Sequence, residues 1–270
     1  MSVLDRIERL RNVMEQQKID CYIIPTDDYH HSEYVGDYFK FREYITGFTG
    51  SAGTAVFTKD KAGLWTDGRY FIQAEAQLQG SGITLYKSGE PGVPTIEEFL
   101  KSELKEGDVL GFDGRTVTYA QGKRYCHIAD ENGASLQYRL DFAQNIWKER
   151  PEMSLEPVFS LADEYTGEKI GSKLERIREI MKENGCNAHV LSSLDDIAWL
   201  LNIRGNDIAY CPLVLSYAIV YNNSVELFAD IRKFSDDIIN LLAENQVKIY
   251  PYEDIYHKVS EMTSEDKVLL

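Results

Sequence analysis

The 270 residues carry 29 Lys and Arg against 44 Asp and Glu, a net charge of −15. Length suggests about two domains, and 43% hydrophobic with 27% charged residues is an ordinary folded composition that excludes wholesale disorder. The acid excess argues against a nucleic-acid surface, which needs clustered Lys and Arg, and no run approaches 18 apolar residues, so no membrane-spanning helix is expected.

The first ten residues, Met1–Leu10, alternate charge with apolar residues and do not read as a signal peptide. Cys21, Cys126, Cys186 and Cys211 lie far apart and form no C-x-x-C pair, so reduced thiols in a cytoplasmic protein are expected, with Cys21 buried in its apolar run. Val3, Ile7, Leu10, Val13 and Met14 follow helical spacing and form one stripe. A strand over Cys21–Ile24 comes next, then a polar turn at Asp28. The stretch Asp27–Tyr34 is the densest polar cluster. His31 and Glu33 within it are residue types that could hold a metal, but ligands normally converge from separate elements, and a loop capped by Asp27 or Asp28 at a helix start is the simpler reading. Gly47, Gly50 and Gly53 mark tight turning before a strand at Thr54–Phe57, which turns at Thr58–Lys61 into Leu64–Thr66. Asp67 is expected to cap a helix beginning near Arg69, and Arg69 is expected to pair with acids beneath the sheet end. A strand at Val109–Phe112, a helix near Tyr119–Glu131 and a strand near Leu136–Leu140 complete the first half, with His127 expected in the core.

The pattern then repeats. Adding 167 to the first stripe gives Ile170, Leu174, Ile177, Ile180 and Met181. Cys21–Ile24 returns as a short apolar run at His189–Leu191, with His189 expected in the core. Tyr44–Gly50 lies over Trp199–Gly205 at an offset of 155, so the first copy carries about 12 extra residues, within Tyr29–Phe41. Ala55–Phe57, Leu64–Arg69 and Ile83–Tyr86 return as Ala218–Val220, Leu227–Arg232 and Val247–Tyr250. Each copy reads helix, strand, turn, strand, hairpin, strand, helix, strand, which gives an α/β domain with a mixed sheet flanked by helices. Asp141–Gly167, with Pro151 and Pro157, is the connector, and domains are expected over 1–160 and 161–270. The second copy reaches its matching strand at Val268–Leu270, so it is expected to be an incomplete domain of a longer parent chain. His257 is expected at the surface of the last helix.

No G-x-x-x-x-G-K-[ST], H-E-x-x-H or G-x-S-x-G motif occurs, so no catalytic and no metal-ligating residue is assigned in this chain. Asp67 and Arg69 return as Asp230 and Arg232, which favours a role in building the fold. Arg204 and Asp207 have no charged counterpart in the first copy. Arg204 is expected at a loop tip, and both are candidates for function.

His31–Tyr34, Tyr44–Ala55, Leu64–Ala74, Asp195–Asp207 and Ser216–Val220 resemble, in order and along essentially the whole chain, the first two domains of the three-domain Xaa-Pro aminopeptidases (aminopeptidase P). The resemblance implies two tandem creatinase N-terminal-like domains with a ribonuclease H-like motif, the second incomplete. It implies a hydrolase parent, a metallopeptidase that removes an N-terminal residue preceding proline. The catalytic "pita-bread" domain would lie C-terminal to this chain and use two divalent metal ions, often manganese. The partners it implies are a peptide with proline at its second position, the chain's own catalytic domain and a homodimer. Tyr44–Phe48 and Trp199–Gly205 match the loop that approaches the active site in smaller relatives. Tyr44, Phe48, Trp199, Arg204 and Asp207 are therefore the candidates for shaping the substrate cleft, although Asn202 stands where the first copy has glycine. The alternative is a free-standing peptide- or protein-binding module.

Overall fold

Six of fourteen side chains on the first helix are charged, and its apolar ones apart from the exposed Leu4 fall on one side, so burial of that stripe decides where it sits. Ser2 and Asp5 form a reciprocal cap that starts it. Ile7, Leu10 and Met14 are buried against the sheet, each contributing about 1.5–3 kcal/mol relative to exposure. The structure is a computed structural model that describes residues 1–270, and it divides into two units, Met1–Glu152 and Met153–Leu270. The division falls nearer 152 than 160. The second half of the connector is tied into the second unit, where the Val158 N–H donates to Lys233 O.

The first unit runs α1 (Val3–Gln16), β1 (Cys21–Pro25), α2 (Phe41–Thr46), β2 (Thr54–Thr58), β3 (Ala62–Thr66), α3 (Phe71–Gln77), β4 (Thr84–Lys87), α4 (Ile96–Glu103), β5 (Val109–Phe112), α5 (Tyr119–Glu131), β6 (Ser135–Gln137) and α6 (Phe142–Ile146). The sheet order is β4-β3-β2-β1-β5-β6. β1 alternates faces: Tyr22 and Ile24 pack with α1, α2 and α6, whereas Cys21 and Ile23 pack with α4 and α5. Helices thus cover both faces, as a mixed sheet requires.

The second unit runs β7 (Phe159–Ser160), α7 (Asp163–Thr166), α8 (Ile170–Glu183), β8 (Ala188–Leu191), α9 (Leu194–Leu200), β9 (Ile203–Arg204), β10 (Tyr217–Tyr221), β11 (Val225–Phe228), α10 (Asp236–Glu244), β12 (Val247–Tyr250), α11 (Asp254–Ser260) and β13 (Val268–Leu269). Its main sheet is ordered β12-β11-β10-β8-β13. That is the first sheet without a partner for β6, and the directions agree pair by pair. β1/β2 and β8/β10 are antiparallel, β2/β3 and β10/β11 antiparallel, β3/β4 and β11/β12 parallel, β1/β5 and β8/β13 parallel. The duplication expected from the stripe is therefore a duplication of fold.

Several local expectations are corrected. The polar turn after the first strand of each copy contains a short helix, α2 or α9, too brief to show a full apolar period. The strand expected at Leu136–Leu140 forms at Ser135–Gln137, and only Arg139 continues it, as an isolated bridge to Asp113. His127 lies on the exposed side of α5, 3.2 Å from Glu131, because Tyr125, Ile128 and Ala129 take the buried side. His189 is half-buried on β8, with Nδ1 3.0 Å from Leu269 O. No helix starts at Asp27 or Asp28; the Asp28 carboxylate instead closes a loop by accepting from the His30 and Ser32 N–H groups. Arg69 pairs with Asp67 two residues away, through Nε and Nη2, instead of reaching beneath the sheet.

Candidate functional site

Both candidate loops leave the C-terminal end of a short helix, and both turn there through a left-handed residue. In the first unit it is Gly47, φ +74°, whose N–H donates to Glu43 O. In the second it is Asn202, φ +50°. Asparagine is a residue that tolerates this region, so the glycine-to-asparagine departure leaves the turn intact.

Beyond Gly47 the chain wraps around a buried arginine. Arg42 donates through Nη1 and Nη2 to Phe48 O and Gly50 O, and through Nε to Thr26 Oγ1 at 2.8 Å. No carboxylate meets it, and burial pushes its guanidinium down to about 10. Phe48 is fully buried, its ring set edgewise to Tyr70, so it supports the loop from inside. Gly50 is obligatory, since a Cβ there would meet the Phe48 ring at 2.2 Å. Tyr44 is half-buried between neighbours: its ring stacks on Trp147 with centroids 4.6 Å apart, and the Arg6 guanidinium lies 4.4 Å from the ring centre. Arg6 also donates to Tyr44 O.

The second unit repeats this grip with different residues. Lys173, at the Arg6 position of its helix, donates to Trp199 O at 2.7 Å and to Asn202 Oδ1 at 2.6 Å, with its ammonium 4.5 Å from the Trp199 ring centre. Burial lowers the Lys173 pKa, and the nearby Arg204 and Arg176 charges lower it further. Trp199 remains 44% exposed. Arg204 does not sit at a loop tip. It belongs to β9, opposite Phe159, and its Nη1 is pinned by Ala198 O at 2.6 Å and Ile203 O at 2.8 Å. The exposed tip lies further on at Tyr210, φ +66°. Asp207 is buried, where Oδ2 receives the Lys233 ammonium and the Leu215 N–H. It does not pair with Arg204.

Trp199 and Arg204 are thus neighbours around one helix end, while Asp207 faces the interior. His31 is elsewhere, in the first unit. Its Nδ1 lies 2.6 Å from Asp27 Oδ2, which raises the imidazole pKa, whereas burial pushes Asp27 up and the His31 bond offsets that only in part. Glu33 is exposed and joins neither residue. A divalent-metal centre needs three or more converging ligands. No three His, Cys, Asp or Glu side chains gather in such a group, so the residues of this chain do not fit a metal centre. Arg42, Lys173 and Lys233 escaped the sequence reading. Only Lys173 had a signal there, since Arg6 and Lys173 are both basic at the offset that aligns the stripes.

Both units belong to one domain family: residues 6–137 and residues 149–270 each match a family model described as a creatinase/prolidase N-terminal domain. The chain is therefore a tandem pair of domains of that family. Among named proteins, it is 39% identical over 270 residues to a probable Xaa-Pro aminopeptidase P of Sordaria macrospora, covering 99% of this chain and 44% of that protein. It is 38% identical over 255 residues to aminopeptidase P2 of Arabidopsis thaliana, covering 93% of this chain and 36% of that one. It also superposes on the crystal structure of X-prolyl aminopeptidase from Caenorhabditis elegans, described as a cytosolic enzyme with a di-nuclear active site. The TM-score is 0.91 at 35% identity, over 96% of this chain and 44% of that one. The chain spans less than half the length of these relatives.

Proposed function

We propose that this chain is the non-catalytic N-terminal portion of a cytosolic, metal-dependent Xaa-Pro aminopeptidase, which removes the N-terminal residue preceding a proline. The observation that carries the reading is the match of both units together, at a TM-score of 0.91, to 44% of an X-prolyl aminopeptidase. In this reading two divalent metal ions, manganese by preference, are held by a separate catalytic domain of the same polypeptide. The two domains here border the substrate path and contribute to assembly as a homodimer. The loops Tyr44–Phe48 and Trp199–Gly205 border the cleft. Arg42, Arg6 and Lys173 hold those loops to their helix ends, so the cleft edge is rigid.

The test compares the 270-residue chain with the full-length protein on an Xaa-Pro peptide, with and without manganese. The expected result is metal-dependent release of the first residue by the full-length protein and none by the chain alone. Turnover by the 270-residue chain that disappears in His31→Ala would overturn the reading and make the Asp27–Glu33 loop a site. Peptide binding without turnover by the full-length protein would favour a binding module instead.

A further inference from the structure

Four arginines of this chain take carboxylates in one way, through Nε and Nη2 side by side. These are Arg69 on Asp67, Arg115 on Asp113, Arg176 on Glu168 and Arg232 on Asp230. That edge of a guanidinium matches a carboxylate bidentately and gives the strong, directional form of the bond. Arg204 is built the other way round. Its Nη1 is spent on two carbonyl oxygens, and the Nε–Nη2 edge carries no partner. Five other arginines also donate to carbonyls, but none keeps that edge open: Arg11, Arg42, Arg150 and Arg178 spend Nε on a bond, and the Nε of Arg6 is sealed inside the protein. The Nε and Nη2 of Arg204 are not sealed, and the residue is only partly buried.

The surroundings favour an anion at this edge. Lys173 meets only neutral acceptors, the Trp199 carbonyl and the Asn202 amide oxygen. Glu168, the acid nearest this group of cations, is taken by Arg176 and Ser172. Lys173 and Arg204 therefore have no carboxylate bonded to them beside the half-exposed indole of Trp199; Asp163 acts on Lys173 only from a distance, and Asp196 lines the same groove as Trp199. The guanidinium is also fixed before any ligand arrives. β9 is paired to β7, and a Cβ at the following Gly205 would meet Val214 at 2.9 Å, so the backbone there is closely packed. In the first unit the matching residue is Thr49, which is satisfied by Gln73 and Gln77. The open edge therefore belongs to the second domain alone.

We propose that Arg204, with Trp199 beside it, is a carboxylate subsite that takes the C-terminal carboxylate of a short peptide. The inference rests on the aminopeptidase reading and narrows its substrate class: short free-acid peptides are preferred over the same peptides ending in an amide. The test uses the full-length protein with one Xaa-Pro tripeptide prepared as free acid and as C-terminal amide. Both kcat/KM and equilibrium binding of non-hydrolysable versions are measured. Wild type is expected to favour the acid by about tenfold or more, mostly through KM. In Arg204→Gln the ratio is expected to fall to about one, and Arg204→Lys, which keeps the charge but loses the fork, is expected to recover part of it. Equal loss on both peptides in Arg204→Gln, or no acid preference in wild type, would overturn the subsite. If neither peptide is cleaved but the acid still binds tighter in an Arg204-dependent way, the subsite stands and the aminopeptidase reading falls.

Discussion

The two domains share strand order and direction but hold the same loop with different chemistry, and the difference separates what the fold needs from what it leaves adjustable. The first domain turns with Gly47, grips Tyr44 with Arg6 and ends in Thr49, whose N–H and hydroxyl oxygen are both engaged by glutamines. The second turns with Asn202, grips Trp199 with Lys173 and ends in Arg204, which has donors to spare. What is common is a left-handed residue after a short helix and a cation from the first helix bonded to its last carbonyls, which favours the negative end of a helix. The residue after that turn is where the copies differ.

Cover differs too. In the first domain α6 lies on α1, with Phe142 stacked on Tyr22 at 4.3 Å and Trp147 on Tyr44. In the second, the counterparts of Leu10, Tyr22 and Tyr44 are Ile177, His189 and Trp199, and within these 270 residues they line a groove of about 430 Å³ together with the last residue, Leu270.

The largest effect that would sharpen this comparison is at Lys233. The aligned residue in the first domain is Tyr70, which makes a neutral 2.6 Å hydroxyl bond to Ser51. Lys233 instead makes a buried ion pair with Asp207 Oδ2, while the other carboxylate oxygen, Oδ1, is buried without a hydrogen-bond partner. Lys233→Met strands that carboxylate and is expected to cost about 3–5 kcal/mol. Tyr70→Phe is expected to cost only about 1 kcal/mol. Chemical denaturation of the two variants decides it; similar losses would mean that the pairs are equivalent supports.

Next in size is truncation under the unequal cover. Leu10 is fully buried, so Leu10→Ala is expected to cost about 2–5 kcal/mol. Its counterpart Ile177 is partly exposed, and Ile177→Ala is expected to cost clearly less under the same denaturant. Equal costs would show that the groove beside Ile177 is closed in solution.

The turn itself gives a smaller effect. Gly47→Ala puts a β-carbon on a left-handed residue, at about 1–2 kcal/mol, and that Cβ would also press on Val3 at 3.1 Å. Gly47→Asn, which copies the second domain, is expected to recover part of the loss in thermal unfolding. No recovery would mean that the space beside Val3, rather than backbone conformation, sets the requirement.

The smallest effect is a pH dependence confined to the first domain, because its His31 loop has no counterpart in the second. The bond to Asp27 raises the His31 pKa. Its stabilisation is therefore full below the ordinary histidine pKa, about 6.5, and fades as pH rises through the folded value. An NMR titration of His31 with a midpoint at or below the ordinary value would remove this contribution.

The sequence by itself determined the duplication, the strand hairpins, the helix at Tyr119–Glu131 and the family resemblance. These depend on apolar spacing and on turn residues, which act over a few positions and survive in any environment that buries one face. It also marked Arg204 and Asp207, because a charged loop against a neutral copy is visible in alignment alone, while Trp199 was marked only by the resemblance. Only the tertiary structure decided which groups meet. Arg42 is 6 and 8 residues from the carbonyls it holds, Lys173 is 29 from Asn202, and Lys233 is 26 from Asp207. Nothing in composition separates these cations from solvated ones. Arg204 entered a strand because Phe159, 45 positions upstream, pairs with it, and that pairing fixed one edge of its guanidinium and left the other open. Periodicity is a property of neighbours along the chain. The partner of a buried charge is set by where the sheet brings distant segments together.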